Sequence, residues 1–73
     1  MSAQRVVLRV AGMSCHHCVS TIEKALYALP GVQGVNIDLA AKRVEVLFAP
    51  ERVSTGDIRH AIVDAGYEVQ GLQ

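Results

Sequence analysis

Residues 5–18 read RVVLRVAGMSCHHC, and this stretch contains the change from a strand to a helix that decides the fold. In its first half, apolar side chains alternate with other residues, so that Val6, Leu8 and Val10 lie on one side of an extended chain. A period of two residues is typical of a strand with one buried face. Gly12 then interrupts the alternation and allows the backbone to turn.

The segment from His16 to Leu29 is predicted to be a helix. Its apolar residues recur every three or four positions, as expected for a helix with one buried face. They are Cys18, Val19, Ile22, Ala25, Leu26 and Leu29. Pro30-Gly31 should end this helix, because proline cannot continue the helical hydrogen bonding.

Two further strands are predicted after Pro30-Gly31, joined by a short turn that favours a hairpin. The second strand contains Val35, Ile37 and Leu39, the turn is Ala40-Ala41-Lys42, and the third strand contains Val44, Val46 and Phe48. Each strand alternates in the same way as the first.

The last third of the chain predicts a second helix and a fourth strand. Ser54 is the expected N-cap, and Asp57 completes a capping box three residues later. Ile58, Ala61, Ile62 and Ala65 form the apolar stripe of the helix. Gly66 should end it, and residues 67–72 then form a short strand.

The predicted order βαββαβ is the ferredoxin-like arrangement of the α+β class. Right-handed crossovers place both helices on one face of a four-stranded antiparallel sheet. Residues 1–73 are therefore expected to form a single domain. Arg5, Arg9, Lys42 and Glu45 should stay in water, and Val7 and Leu47 should lie on the open face of the sheet.

The composition argues against two classes of function. Seven Lys and Arg balance seven Asp and Glu, whereas nucleic-acid binding needs a basic face. The chain contains no apolar run near the roughly 18 residues of a membrane span, so no membrane insertion is predicted.

Its first residues lack the apolar region of a signal peptide, which favours a cytoplasmic location. There, two close cysteines bind metal or cycle redox more often than they form a permanent disulfide.

Cys15 and Cys18 are the candidate metal ligands. Cys15 lies in the loop after the first strand and Cys18 in the first turn of the helix, so both sulfurs can converge on one point. The N–H groups at a helix N-terminus stabilise thiolates. Two thiolates suit Cu(I), whereas structural zinc usually takes four ligands. The spacing alone also occurs in zinc and redox sites, which leaves these alternatives open.

The sequence resembles the heavy-metal-associated domains, a family that includes bacterial cytosolic copper chaperones and the N-terminal modules of copper-transporting P-type ATPases. Residues 12–18, GMSCHHC, match the GMxCxxC signature of the family. Pro30-Gly31-Val32 matches its loop after the first helix, and Ala65-Gly66-Tyr67 its loop after the second. The resemblance covers nearly the whole chain.

The resemblance implies a role for each of several residues. Cys15 and Cys18 correspond to the metal-ligating cysteines, Met13 to the buried methionine of the loop, and Tyr67 to the residue that packs near the metal. A tyrosine at that place is similar to bacterial chaperones. Zinc-exporting relatives often carry an acidic residue where Ser14 stands, and this difference favours copper.

Several further residues have a structural interpretation, and most of them also have a functional alternative. His16 and His17 fill the variable positions of the motif as solvated residues, or one of them supplies a third ligand, or a site for zinc or Cu(II). Met13 could be a thioether ligand but is expected to pack under the loop. His60 is predicted to be a surface residue. Lys24 is expected to be solvated, with contact to an acidic partner as its alternative role.

The resulting hypothesis is a non-enzymatic copper chaperone or metal-relay module. It would bind Cu(I) through Cys15 and Cys18 and pass the ion to the metal-binding domain of a copper-transporting P-type ATPase by thiolate exchange. The alternatives are a Zn(II) or Hg(II) carrier of the same fold and a dithiol oxidoreductase. The sequence leaves open a copper-bridged homodimer, and also whether the domain is a separate chaperone or a module of an ATPase.

Overall fold

The computed structural model describes residues 3–12 and 16–72, apart from the side chains of His16 and Leu72. The elements are β1 (Gln4–Ala11), α1 (His16–Tyr27), β2 (Val32–Asp38), β3 (Arg43–Phe48), α2 (Thr55–Asp64) and β4 (Glu68–Leu72). This order confirms the predicted βαββαβ arrangement and the α+β class.

The four strands form one antiparallel sheet in the order β2-β3-β1-β4. Alternate residues of β1 and β3 point to one face, where both helices pack. The sheet contributes Val6, Leu8, Val10, Val44, Val46 and Phe48 to the core, and the helices contribute Ile22, Leu26, Ile58 and Ile62. The predicted ferredoxin-like fold, with both helices on one face, is therefore confirmed.

Helix α1 ends at Tyr27, two residues before the predicted end at Leu29. A residue that precedes proline is disfavoured in the helical region, and Leu29 stands directly before Pro30. The chain tightens here, since the Leu29 amide donates to the Leu26 carbonyl at 3.0 Å. The Leu29 side chain nevertheless packs against the core, as its place in the apolar stripe predicts.

Strand β2 ends at Asp38, so the prediction that Leu39 belongs to the strand is wrong. The Asp38 carboxylate accepts a hydrogen bond from the Ala41 amide at 3.1 Å, which starts the turn immediately after the strand. The Lys42 amide donates to the Leu39 carbonyl at 3.3 Å and closes the turn. The hairpin of β2 and β3 is otherwise as predicted.

The predicted capping box of α2 is present. The Ser54 hydroxyl accepts from the Asp57 amide at 3.2 Å, and the Asp57 carboxylate accepts from the Ser54 amide at 3.1 Å. Two donors that a helix start leaves unpaired are thereby satisfied.

The end of α2 has the paired hydrogen bonds of a Schellman motif. The Gly66 amide donates to the Val63 carbonyl at 3.0 Å, and the Tyr67 amide to the Ile62 carbonyl at 3.2 Å. Gly66 has a φ of 101°, in the left-handed region, as its predicted role as the helix stop requires. This turn places Tyr67 directly before β4, which begins at Glu68, one residue later than predicted.

Three connections meet at one end of the sheet, which we call the loop end: the segment after Ala11, the turn of residues 39–42, and residues 65–67. The pairing of β1 with both neighbours brings them together. Arg9 lies opposite Arg43, next to the β2–β3 turn, and Ala11 lies opposite Glu68, next to the loop from α2.

The other face of the sheet is open. Arg5 and Arg9 are exposed, Arg5 forms an ion pair with Glu45 at 3.4 Å, and Leu47 is 41% exposed, in agreement with the sequence prediction. At the β2 edge, the hydroxyl of Tyr27 accepts a hydrogen bond from the Val35 amide at 3.1 Å. None of the helices in the described residues is both long and apolar enough to cross a membrane.

Substitution of Gly66 by alanine should lower the free energy of unfolding by about 1 kcal/mol. An added Cβ would meet no atom within 4 Å, so the cost comes from the backbone conformation alone. Gly66→Asn should cost less, because asparagine tolerates the left-handed region better. Urea denaturation would measure these differences. Gly71→Ala is the matched control, since its Cβ also meets nothing within 4 Å and its φ is not positive; an equal loss there would contradict the explanation.

Candidate metal site

Cys18 lies in the first turn of α1, at the loop end of the sheet, as predicted. Its side chain is half-buried and packs against the edge of the core. The Cys18 Sγ lies 3.9 Å from the carbonyl oxygen of Gly12, within range of a weak hydrogen bond from the thiol. The helix therefore holds one sulfur of the candidate pair beside the last described residue of the β1 segment.

Tyr67 approaches the same place from the other side of β1. An added Cβ on Gly12 would lie 3.6 Å from Cδ1 of Tyr67, so the tyrosine ring passes close to the glycine backbone. Gly12 has a φ of 91°, which glycine adopts without strain. Tyr67 is half-buried and also packs on the core. Cys18 and Tyr67 thus both lie close to Gly12.

The electrostatic setting of Cys18 follows from its position in the helix. The first amides of a helix have no intrahelical acceptor and carry a partial positive charge. The first turn of α1 contains no acidic residue that would oppose this field. A thiolate at Cys18 is consequently in a favourable place.

Several predicted site residues lie outside the described part of the chain. They are Met13, Ser14 and Cys15, together with the side chain of His16, which is the first residue of α1. Their roles stay predictions.

The remaining predicted residues lie on the surface. His17 is exposed, and its carbonyl accepts a hydrogen bond from the Thr21 hydroxyl at 3.0 Å. His60 on α2 and Lys24 near the end of α1 are exposed, as predicted. Across residues 3–12 and 16–72, no three His, Cys, Asp or Glu side chains come together in a group that could hold a metal ion.

The sequence does not predict the contact of Gly12 with Cys18 and Tyr67. From the sequence, Gly12 is expected only to let the chain turn, and its contact with Tyr67 depends on the pairing of β1 with β4. The one available indication is the small size of the residue, since glycine often marks a place where other groups approach the backbone closely.

Comparison with known proteins places this geometry among metal-binding domains. Residues 7–68 match the family model of the heavy-metal-associated domain. The chain is 44% identical over 66 residues to the copper chaperone CopZ of Bacillus subtilis, which covers 90% of this chain and 96% of CopZ. It is 37% identical over 70 residues to the copper-exporting P-type ATPase of the same organism, covering 94% of this chain and 9% of the ATPase. A solved structure of a CopZ metallochaperone superposes with a TM-score of 0.89 at 36% identity, covering 90% of this chain and 98% of the other.

Replacement of Tyr67 by alanine should loosen the segment that ends at Gly12. The loss of a half-buried ring should lower the free energy of unfolding by about 2 kcal/mol. The rate of amide hydrogen exchange should increase more at Gly12 than at Val6. Tyr67→Phe keeps the ring and is the comparison variant that separates the contribution of the ring from that of the hydroxyl. Unchanged exchange at Gly12 in Tyr67→Ala would contradict the packing role of the ring.

Proposed function

The chain belongs to the heavy-metal-associated domain family, and from this premise we propose that it is a copper carrier that binds one Cu(I) ion between the thiolates of Cys15 and Cys18. The observation that carries the proposal is the position of Cys18, held by α1 at a positive helix end close to Gly12, which Tyr67 also approaches. The similarity to a copper chaperone over nearly the whole of both chains supports copper as the cargo.

The proposal assigns one thiolate ligand to the helix and one to the preceding segment. Cys18 is fixed by a helix whose Ile22 and Leu26 are buried, so its sulfur has a defined position. Cys15 would supply the second thiolate of the pair. Cu(I) is a soft ion that accepts two thiolates in a nearly linear arrangement, and no third ligand is required.

Transfer of the ion proceeds by ligand exchange. A thiolate of the partner adds to Cu(I), which then has three sulfur ligands, and one cysteine of this chain leaves as a thiolate. A second exchange moves the ion completely. Copper stays Cu(I) throughout, and each Cu–S bond that breaks is replaced by one that forms. A tight site can therefore release its ion quickly to a partner with similar ligands.

Residues around the pair support the carrier role without binding the ion. Tyr67 would keep water from one side of the site, since its ring lies against Gly12. Met13 would pack under the loop and fix its shape. His17 stays in solvent, and a third ligand from His16 or His17 is the alternative arrangement.

The proposed partner is the metal-binding domain of a copper-transporting P-type ATPase. This chain is itself similar to a segment of such an ATPase, so both partners would present the same pair of ligands. The proposed setting is the cytoplasm, where both thiols stay reduced. We propose that a single domain binds and transfers Cu(I) and catalyses no reaction.

A Cu(I) titration of the reduced protein should saturate near one equivalent and show two sulfur ligands by X-ray absorption. Cys15→Ala and Cys18→Ala should each lower the affinity by at least about 100-fold, because one thiolate cannot hold the ion alone. His17→Ala is the control and should bind as the original protein does. Equal Cu(I) affinity in Cys15→Ala would refute the proposed site.

The same protein can be tested against the other cargoes and the redox alternative. Competition between Cu(I), Zn(II) and Hg(II) in a common thiol buffer should favour Cu(I) over Zn(II), and zinc held by both cysteines and a histidine would argue for a zinc carrier. An insulin-reduction assay should give no turnover, whereas sustained turnover would support the oxidoreductase.

A further inference from the structure

A threonine side chain ties the first turn of α1 to the rest of the helix. The Thr21 hydroxyl donates a hydrogen bond to the carbonyl oxygen of His17 at 3.0 Å. In an α-helix the Thr21 amide donates to the same carbonyl, which therefore has two donors from one residue. Thr21 is half-buried and its neighbour Ile22 is completely buried, so both donors belong to a fixed part of the helix.

The carbonyl that accepts this bond belongs to the same peptide group as the amide of Cys18. A hydrogen bond to the oxygen of a peptide polarises its N–H, and linked hydrogen bonds strengthen one another by roughly 10–30% each. The Thr21 hydroxyl therefore makes the Cys18 amide a stronger donor. Threonine hydroxyls inside helices commonly bond to the carbonyl four residues earlier, and here that carbonyl directly precedes a candidate metal ligand.

The position of Cys18 in the helix allows its amide to act on an anion. Cys18 is the third residue of α1, and the amides of a first helical turn point out of the helix end, where they stabilise negative charge. The first turn contains no acidic residue that would repel an anion. The Sγ of Cys18 lies 3.9 Å from the Gly12 carbonyl oxygen, so this turn faces the segment that leads to the candidate metal site.

We propose that Thr21 is a positioning residue for the metal site, because its hydroxyl holds the first turn of α1 in place and makes the Cys18 amide a stronger donor toward the Cu(I)-bound thiolates. The proposal rests on the carrier function and adds to it a residue outside the cysteine motif. Helix ends open more readily than helix centres. During ligand exchange, the Thr21 hydroxyl would keep Cys18 in position while one Cu–S bond is replaced by another.

The test compares Thr21→Val with Thr21→Ser in the reduced, full-length chain. Valine has nearly the shape of threonine but no hydroxyl, whereas serine keeps the hydroxyl and loses the methyl group. In competition with a chromogenic Cu(I) chelator, Thr21→Val should bind Cu(I) about threefold more weakly than the original protein, because the Cys18 amide becomes a weaker donor. Thr21→Ser should bind as the original protein does.

The proton resonance of the Cys18 amide reports its hydrogen bonding directly. In the Cu(I)-loaded protein this resonance should move upfield in Thr21→Val and keep its position in Thr21→Ser. Ala25→Gly is the matched control for stability, because it weakens α1 mainly through helix propensity, about two turns after Cys18. It should leave the Cu(I) affinity and the Cys18 resonance unchanged.

The outcomes distinguish the role of Thr21 from the carrier function. Equal Cu(I) affinity in Thr21→Val and in the original protein would overturn the role of Thr21 and leave the carrier function standing. A similar loss of affinity in Ala25→Gly would show an effect of helix stability, and a similar loss in Thr21→Ser an effect of the methyl group; either result would also overturn this role. Failure of the original protein to bind Cu(I) would overturn the carrier function and this proposal with it.

Discussion

The candidate site depends on the pairing of β1 with a strand on each side. Because β1 is central, its end at Ala11 has the β2–β3 turn on one side and the loop that carries Tyr67 on the other. The same strand end leads through Gly12 toward the cysteines. The pairing of β1 with both neighbours therefore brings Gly12, the β2–β3 turn and the loop that carries Tyr67 to one end of the sheet.

The site is supported by the core without being part of it. Val10 is completely buried two residues before Gly12, and Ile22 is completely buried one helical turn after Cys18. These anchors fix the backbone on both sides of the loop, while Cys18 itself is only half-buried. This arrangement suits a carrier, which needs ligands in a defined position and also accessible to an incoming thiolate.

The sequence predicts the fold well in segments where the apolar residues follow one regular spacing. The alternation in β1 and β3 identified the buried faces, and Ser54 and Asp57 identified the start of α2. Leu29 and Leu39 continued the apolar pattern beyond the ends of their elements, because a neighbouring proline and an aspartate-initiated turn outweighed that pattern.

The site was predictable to a lesser extent, because its contacts join distant parts of the chain. Cys18 could be selected from the motif and Tyr67 from the family resemblance, but the approach of Tyr67 to Gly12 depends on the pairing of β1 with β4. The cross-strand position of Arg9 and Arg43 depends likewise on a register that no local pattern specifies. The roles of Cys15 and Met13 remain sequence-based predictions.

The hydrogen bond between Tyr27 and Val35 has a consequence for how copies of this protein meet. Val35 lies in β2, an edge strand, and an edge amide without a partner invites another strand to pair with it. The hydroxyl of Tyr27 occupies that amide and so discourages a strand of another molecule from pairing with β2 at this position. A carrier meets its partners many times and must separate after each encounter. It therefore benefits when an edge amide is already paired within the molecule.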